Sequence, residues 1–214
     1  MTNTTDLRDK KDKKVQKRTI ESRERLLSAA YQLFSEKGYY YTNTKEIVKL
    51  AGISIGNFYN YYKDKADIYL DLAKQYLDGS CKGIRTITEV VKPLGREEAK
   101  AKLIEYIYNQ LGRAEGANRF FDDADIIAKD NGELTNSIHL AEEQAIALLT
   151  DLLEHQIKEK KLQEESATLI KIKARMLYVT TNEVSNDIIR VPAGKERDEY
   201  IELLAEFITN MTYD

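Results

Sequence analysis

The segment from Asn43 to Lys65, NTKEIVKLAGISIGNFYNYYKDK, constrains the fold more than any other part of the chain. Asn43 comes directly before a short apolar pattern and Glu46 follows three residues later, which is the signature of a capping box. Gly52 ends that helix, and Ser54 is an N-cap residue for a second one. The segment therefore predicts a helix-turn-helix. A plain corner between two packed helices is the alternative.

The second of these helices has an inward and an outward face. Phe58 and Tyr62 lie four residues apart, so they share one side of a helix and face inward with Ile53. The outward face carries side chains of a size that suits a DNA groove: Ile55, Gly56, Asn57, Asn60 and Tyr61. Glycine costs a helix about 1 kcal/mol relative to alanine. Gly56 therefore indicates the close approach of another backbone, of protein or of nucleic acid.

Charge is distributed unevenly along the chain. Residues 1–65 contain 14 Lys and Arg against 8 Asp and Glu, whereas residues 66–214 contain 19 against 28. A basic segment ahead of an acidic body indicates that the first part meets a polyanion, with a solubilising tail as the alternative. Residues 1–18 lack a hydrophobic period and are predicted to be a flexible arm. From Thr19 to Lys37 an apolar stripe predicts an amphipathic helix that ends at Gly38.

The rest of the chain reads as a larger helical body. Only two prolines occur in 214 residues, and no alternating strand pattern or internal repeat is visible. Hydrophobic periodicity predicts helices at 67–92, 97–113, 118–129, 134–161, 165–190 and 196–211. The sequence therefore predicts an all-α fold.

One set of positions in the first part follows the signature of a known family. The set is Gly38-Tyr39, Thr44, Ile47, Ala51-Gly52-Ile53-Ser54, Gly56, Phe58-Tyr59, Tyr61-Tyr62 and Lys65. These residues resemble the TetR family of bacterial transcriptional repressors. Val48 and Phe58 depart from that family's usual Ala and Leu, but both positions stay apolar. The resemblance implies a helix-turn-helix DNA-binding domain at 19–65 and a larger helical ligand-binding and dimerisation domain at 66–214.

The resemblance also implies two kinds of contact with operator DNA. Phosphate anchors are expected at Thr44, Ser54, Tyr59 and Lys65, and Lys45 is expected to reach a base edge. Base readers are expected at Ile55, Gly56, Asn57, Asn60 and Tyr61. Asparagine pairs with adenine and an apolar side chain contacts the thymine methyl group, so these residues favour an A·T-leaning operator. For Tyr59, a core aromatic ring with its hydroxyl at the surface is the alternative.

Two further sites follow from the resemblance in the helical body. The last two helices should form a four-helix bundle with those of a second copy, through Leu177, Thr181, Val184, Ile188, Leu203, Leu204, Phe207 and Ile208. The alternative is that this stripe packs on the chain's own core. Candidates for lining an inducer pocket are Tyr76, Tyr106, Asn109, Phe120, Phe121, His139, Tyr178 and Asn182. Each of these residues is alternatively plain core or surface.

Enzyme, metal and cofactor sites are not predicted. His139 and His155 are the only histidines and neither lies in a metal-binding motif, and no G-x-G-x-x-G or G-x-S-x-G occurs. No window approaches the roughly 18 consecutive apolar residues of a membrane span, and no secretory signal is recognisable. The single cysteine, Cys81, is consistent with a reducing cytoplasm.

The sequence thus predicts a cytoplasmic, homodimeric repressor that binds a palindromic operator in double-stranded DNA and is released by a small-molecule inducer. It needs no cofactor and no membrane. The alternative is a helical ligand-binding or adaptor protein whose basic head meets a protein or an anionic membrane. A third possibility, an all-α enzyme, would need a site that the sequence does not show.

Overall fold

The computed structural model describes residues 4–114, 118–160 and 165–213. Within those ranges every regular element is an α-helix. The helices are α1 Thr4–Lys37, α2 Thr44–Ala51, α3 Ile55–Phe58, α4 Lys65–Val91, α5 Arg96–Ala114, α6 Asn118–Asp130, α7 Gly132–Lys160, α8 Ala167–Arg190 and α9 Lys195–Tyr213. The predicted all-α fold is confirmed. Residue 161, the predicted end of the helix here named α7, lies outside the described residues.

The first helix is longer than the sequence suggested. We expected a flexible arm over residues 1–18, but α1 already begins at Thr4. A helix nucleated by the apolar stripe further along extends easily through Lys, Arg and Gln, and no Gly or Pro interrupts them. Residues 1–3 of the predicted arm lie outside the described residues.

The chain folds into two compact units. The first, which we call the head unit, runs through Ala73 and also includes Arg119–Ile127 of α6. The second, the body unit, contains the rest of the described chain. The predicted boundary after residue 65 therefore differs from the observed one, since part of α4 and a distant segment of α6 belong to the head unit.

The core of the head unit is formed by the predicted apolar stripe of α1. Leu26, Leu33 and Phe34 are buried, as are Ile47 of α2 and Phe58 of α3. Burial of side chains of this size contributes about 1.5–3 kcal/mol each. The two short helices α2 and α3 are therefore held mainly by packing against α1 and each other, because an isolated helix of their length is marginal in water.

The α6 segment joins the head unit through aromatic contacts. The Phe120 ring lies 4.9 Å from the Tyr69 ring and 5.6 Å from the Tyr31 ring, centroid to centroid. The Tyr69 hydroxyl donates to the Phe120 carbonyl over 2.7 Å. Phe120 is only 2% exposed. Phe120, which the resemblance suggested for an inducer pocket, thus packs in the core of the head unit.

The body unit contains the remaining helices around two hydrophobic cores. The larger core includes Leu103 of α5, Leu152 of α7, Ile188 of α8 and Leu204 of α9. The smaller core joins α7 and α8 and includes Leu177. Side chains also close the C-terminal end of α4. The Tyr213 hydroxyl donates to the Val91 carbonyl over 2.8 Å, and Gln156 Nε2 donates to the Lys92 carbonyl over 3.0 Å.

Candidate nucleic-acid interface

The helix-turn-helix begins with the predicted capping box. The side chain of Asn43 accepts the Glu46 N–H over 3.0 Å, and Glu46 Oε2 accepts the Asn43 N–H over 3.2 Å. The other carboxylate oxygen of Glu46 lies 2.6 Å from Lys37 Nζ. The hydrogen bond from Lys37, together with that from the Asn43 backbone, lowers the pKa of Glu46. One carboxylate thus ties the start of α2 to the end of α1.

The turn and the second cap also form as predicted. Gly52 adopts the left-handed conformation with φ +63°, and its N–H donates to the Lys49 carbonyl over 3.3 Å. Ser54 Oγ then accepts the Asn57 N–H over 3.2 Å. Phe58 and Tyr62 are buried, as predicted. The second helix is shorter than expected, because regular α-helix ends at Phe58 and the chain continues in turns.

The predicted DNA-contacting residues lie mostly at the surface of the head unit. The exposed ones are Lys45, Ser54, Ile55, Gly56, Tyr59 and Asn60, whereas Thr44, Asn57, Tyr61 and Lys65 are half-buried. Asn60 Nδ2 donates to Asn57 Oδ1 over 3.1 Å, so these two amides orient each other. Each still keeps groups that could pair with an adenine edge.

Gly56 has no role in packing within the described structure. A Cβ atom added there would meet no heavy atom within 4 Å. The residue sits in α3, where glycine is less favourable than alanine. Its presence is therefore not explained by crowding inside the head unit.

Lys65 occupies a different environment from a free phosphate anchor. Its Nζ donates to the Tyr39 carbonyl over 2.6 Å and lies 4.0 Å from the centroid of the Tyr39 ring. Burial lowers the pKa of Lys65, while the charge of Asp123 acts in the opposite direction. The ammonium group thus stabilises the segment between α1 and α2.

Two residues of α6 that the sequence did not single out contact the end of α1. Asp123 Oδ2 accepts the Tyr39 N–H over 2.5 Å, and Arg119 Nη1 donates to the Lys37 carbonyl over 3.3 Å. In each of these two hydrogen bonds, the donor and the acceptor are more than eighty residues apart along the chain. No local pattern could have revealed these contacts, because the charged residues of α6 resemble any solvated helix face.

The beginning of α4 is also joined to the helix-turn-helix. Asp71 accepts hydrogen bonds from the Tyr62 hydroxyl over 2.7 Å and from Arg23 Nη2 over 2.5 Å. Burial is the main cause of the raised pKa of Tyr62, and the hydrogen bond with Asp71 raises it further. These contacts connect α1, the end of the helix-turn-helix and α4 within the head unit.

The other inducer-pocket candidates differ in their environments. Asn109, His139 and Asn182 are exposed, as is Tyr76. Phe121 is half-buried in the head unit, with its ring 5.5 Å from that of Phe120. A Cβ added at Gly83 would lie 2.6 Å from the Tyr106 hydroxyl, so Tyr106 packs tightly on α4.

Tyr178 is half-buried beside other polar side chains of the body unit. Burial raises the pKa of its half-buried phenol, and the nearby Glu142, Cys81 and Tyr76 contribute further. Cys81 Sγ lies 3.5 Å from the Ala141 carbonyl oxygen, and Glu142 pairs with Arg175 over 3.3 Å. Glu142 and Arg175 were missed from the sequence because charged residues at helical spacing are usually solvated.

The predicted dimer seam divides into buried and accessible residues. Leu177, Ile188 and Leu204 are buried in the chain's own cores, so their assignment to a surface seam is wrong. Thr181, Val184, Phe207 and Ile208 are half-buried, and Leu203 is 70% exposed. An apolar row that the sequence analysis did not select is exposed on α8: Leu169, Ile172, Met176 and Val179.

Among the described residues, no group of three or more His, Cys, Asp and Glu residues is arranged to hold a metal ion. No helix in the described part of the chain is long and apolar enough to span a membrane.

Comparison with known proteins places the helix-turn-helix in a family. Residues 26–72 match the family model described as bacterial regulatory proteins, tetR family. The HTH-type transcriptional regulator HbdR of Aromatoleum sp. (strain CIB) is 45% identical over 58 residues, which are 27% of this chain and 25% of that protein. AcrR of Shigella flexneri is 35% identical over 60 residues, 28% of each protein. The chain thus aligns with about a quarter of the length of these curated relatives.

Solved structures share the fold over most of the chain. The regulatory protein TetR from Rhodobacter sphaeroides superposes with a TM-score of 0.62 at 16% identity, covering 88% of this chain and 97% of that one. The transcriptional regulator FadR from Bacillus subtilis, in complex with stearoyl-CoA, gives 0.63 at 21% identity, covering 87% and 97%. Residues 26–72 thus match the N-terminal domain of the tetR family of bacterial regulatory proteins, and the chain shares the all-α fold of these solved structures.

Proposed function

We propose that this chain is a ligand-responsive transcriptional repressor that binds a palindromic operator as a homodimer and is released by a small-molecule inducer. The observation that carries the proposal is the outward face of the rigidly capped helix-turn-helix. Ile55, Gly56 and Asn60 are exposed there, and Gly56 leaves open space for a close approach. A DNA groove would supply the partner that this face lacks among the described residues.

The roles of individual residues follow from their positions on that face. Thr44, Ser54 and Tyr59 would contact phosphates, and Lys45 would reach a base edge. Asn57 and Asn60 would read adenine through their amides, and Ile55 would contact a thymine methyl group. Gly56 and Tyr61 complete the reading surface. Lys65 would contribute mainly by holding the Tyr39 carbonyl, since its ammonium group is already engaged there.

Dimerisation would use the exposed apolar face of α8 and α9. The exposed residues on α8 follow one another at intervals of three, four and three, the spacing of a helix–helix seam. Tyr200 and Leu203 of α9 are exposed as well. A row of this kind is costly to leave in water, and the same face of a second copy would cover it in a two-fold arrangement.

Inducer binding would take place in the body unit, around Tyr178. Its half-buried phenol, the Glu142 carboxylate and the Cys81 thiol provide polar groups beside an apolar core. FadR from Bacillus subtilis shares this fold, and its structure contains stearoyl-CoA. This observation supports the proposal that the body unit responds to a ligand. Ligand would act by preferring a conformation in which α4 changes the spacing of the two heads of the dimer. A ligand with equal affinity for both conformations would have no effect.

Selection of random duplexes on the purified protein tests the proposal. We expect enrichment of one palindromic sequence, because two copies of the head would read two half-sites. Tyr59→Phe should then weaken binding to all duplexes, whereas Asn57→Ala should relax the preference at one base-pair position. Failure to enrich any sequence at low salt would contradict the proposal. Salt-dependent binding without sequence preference, or binding to anionic vesicles, would favour the adaptor alternative.

A further inference from the structure

Two tyrosines between α1 and α2 remain without a role in the function described so far. The Thr42 N–H donates to the Tyr39 carbonyl over 3.3 Å, which closes a turn with Tyr40 and Tyr41 at its two central positions. Tyr40 is 59% exposed and Tyr41 is 81% exposed. Central turn positions favour Gly, Pro, Asn, Asp and Ser, so two large aromatic side chains are unusual there.

The turn that carries these tyrosines is firmly held. The Thr42 side chain is buried, and its hydroxyl donates to the Gly38 carbonyl over 2.8 Å. The Tyr39 N–H is bound by Asp123, and the Tyr39 carbonyl accepts from Lys65. Exposure of the tyrosines therefore follows from a defined backbone and not from a loose loop.

The two side chains differ in what the chain itself offers them. The ring of Tyr40 contacts that of Tyr39 edge to face, with centroids 5.3 Å apart. For Tyr41, no ring contact or hydrogen bond is found within the part of the chain that the structure describes. Its hydroxyl is thus available to a partner outside the chain.

We propose that Tyr41, supported by Tyr40, forms an additional contact with the phosphate backbone of DNA beside the helix-turn-helix. The inference rests on the proposed DNA-binding function. Tyr41 lies two residues before Asn43, the cap of α2, and the exposed Lys45 follows. The surface is therefore continuous with the proposed interface, and the positive charge of residues 1–65 complements a polyanion. Tyrosine hydroxyls are regular donors to phosphate oxygens.

An uncharged contact has a distinctive salt dependence. Each lysine that neutralises a phosphate releases counterions, so its loss reduces the slope of log affinity against log salt by about 1. A tyrosine hydroxyl adds a hydrogen bond without releasing counterions. Its loss should weaken binding by a constant factor across salt concentrations.

The test uses the full-length protein with the duplex enriched by selection and with a scrambled duplex of the same composition. We expect Tyr41→Phe to weaken binding to both duplexes by about fivefold at every salt concentration. The loss of one ordinary hydrogen bond changes an equilibrium constant by about this factor. Tyr41→Ala should weaken binding at least as much. Lys45→Ala is the charged comparison, because it removes a cation from the proposed interface. It should reduce the salt slope and also relax the preference at the base pair that Lys45 reaches. Tyr108→Phe removes an exposed tyrosine hydroxyl of the body unit, one that is bonded to Asp198. It is the control for a general effect of Tyr→Phe changes and should bind DNA as the parent protein does.

Three results would overturn the inference. Unchanged affinity in both Tyr41 variants, with a parent protein that binds DNA, removes this contact but leaves the proposed function standing. A loss confined to one base-pair position of the selected duplex would mean that Tyr41 reads a base and not the backbone. A parent protein that binds neither duplex would remove the proposed function together with the inference.

Discussion

Asp123 Oδ2 of α6 accepts the backbone N–H of Tyr39 over 2.5 Å. The same carboxylate oxygen lies 3.0 Å from the position that a Cβ atom would take on Gly38, which has φ +85°. Glycine at that position therefore serves two purposes, since it ends α1 in a left-handed conformation and leaves room for the carboxylate. The bond connects a helix from the second half of the chain to the turn that leads into α2.

Removal of this acceptor should destabilise the head unit. Asp123→Ala leaves the Tyr39 N–H without its partner, which should cost about 1–3 kcal/mol. Asp123→Asn keeps an oxygen at the same place and should cost less. Urea denaturation followed by circular dichroism compares the two variants with the parent protein. Equal losses in both variants would show that the hydrogen bond to Tyr39 is not the source of the stability.

Gly56→Ala should raise the folding stability of the protein and weaken its binding to DNA. Alanine favours the helix by up to about 1 kcal/mol and meets no heavy atom within 4 Å, so the melting temperature should rise. The added methyl group should weaken binding to the selected duplex by about 1–3 kcal/mol, as overpacking does in other close contacts.

Gly79→Ala is the matched control for this experiment. Gly79 lies within α4, is exposed, and also has open space around its Cβ position. The Gly79→Ala substitution should raise the folding stability without changing the affinity for DNA. If Gly56→Ala and Gly79→Ala behaved alike in the binding assay, the outward face of α3 would not lie against DNA.

Charged substitutions on the exposed apolar face of α8 and α9 should dissociate the dimer. Met176→Glu or Leu203→Glu would bury a carboxylate between two copies, raising the dissociation constant by about tenfold or more. Leu140→Glu alters an equally exposed leucine of α7 and should leave the dimer intact. Sedimentation equilibrium distinguishes the outcomes. A parent protein that is monomeric at micromolar concentration would contradict the proposed interface.

Tyr213→Phe should change the pH dependence of the unfolding free energy in the alkaline range. Burial raises the pKa of Tyr213 to about 12 from its ordinary value near 10. Below that ordinary value the phenol is neutral in both states, and its hydrogen bond to the Val91 carbonyl contributes fully. As pH rises toward 12, the unfolded chain ionises first, so this contribution is lost.

The measurement is the difference in unfolding free energy between the parent protein and Tyr213→Phe. We expect the parent to be more stable at about pH 8 and the difference to shrink at about pH 11. Other titrating groups cancel in this comparison because they are present in both proteins. A difference that stayed constant across that interval would show that Tyr213 does not titrate as a buried phenol.

Local chemistry explains why most helix boundaries could be predicted from the sequence. Asn43, Gly52 and Ser54 act within three or four residues of themselves, so their caps can be recognised without knowledge of the fold. The start of α1 at Thr4 was missed for a related reason. Charged residues are compatible with both a helix and a solvated arm, and only extension from a nucleated helix selects the first.

The face that α8 turns outward could not be decided from periodicity. Leu177 and Ile188 follow one apolar row, and Met176 and Val179 follow another beside it. Both rows have helical spacing, so the sequence contains no sign of which one is inside. The packing of α7 and α9 against the first row leaves the second row exposed.

The helix-turn-helix, its caps and its inward and outward faces could be predicted from the sequence, because they depend on interactions between near neighbours. The distant residues that support this motif became visible only in the folded chain. Phe120, Arg119 and Asp123 join the head unit across long stretches of chain, and Lys65 turns toward Tyr39. Such contacts depend on how helices pack in space, and a one-dimensional pattern does not contain that information.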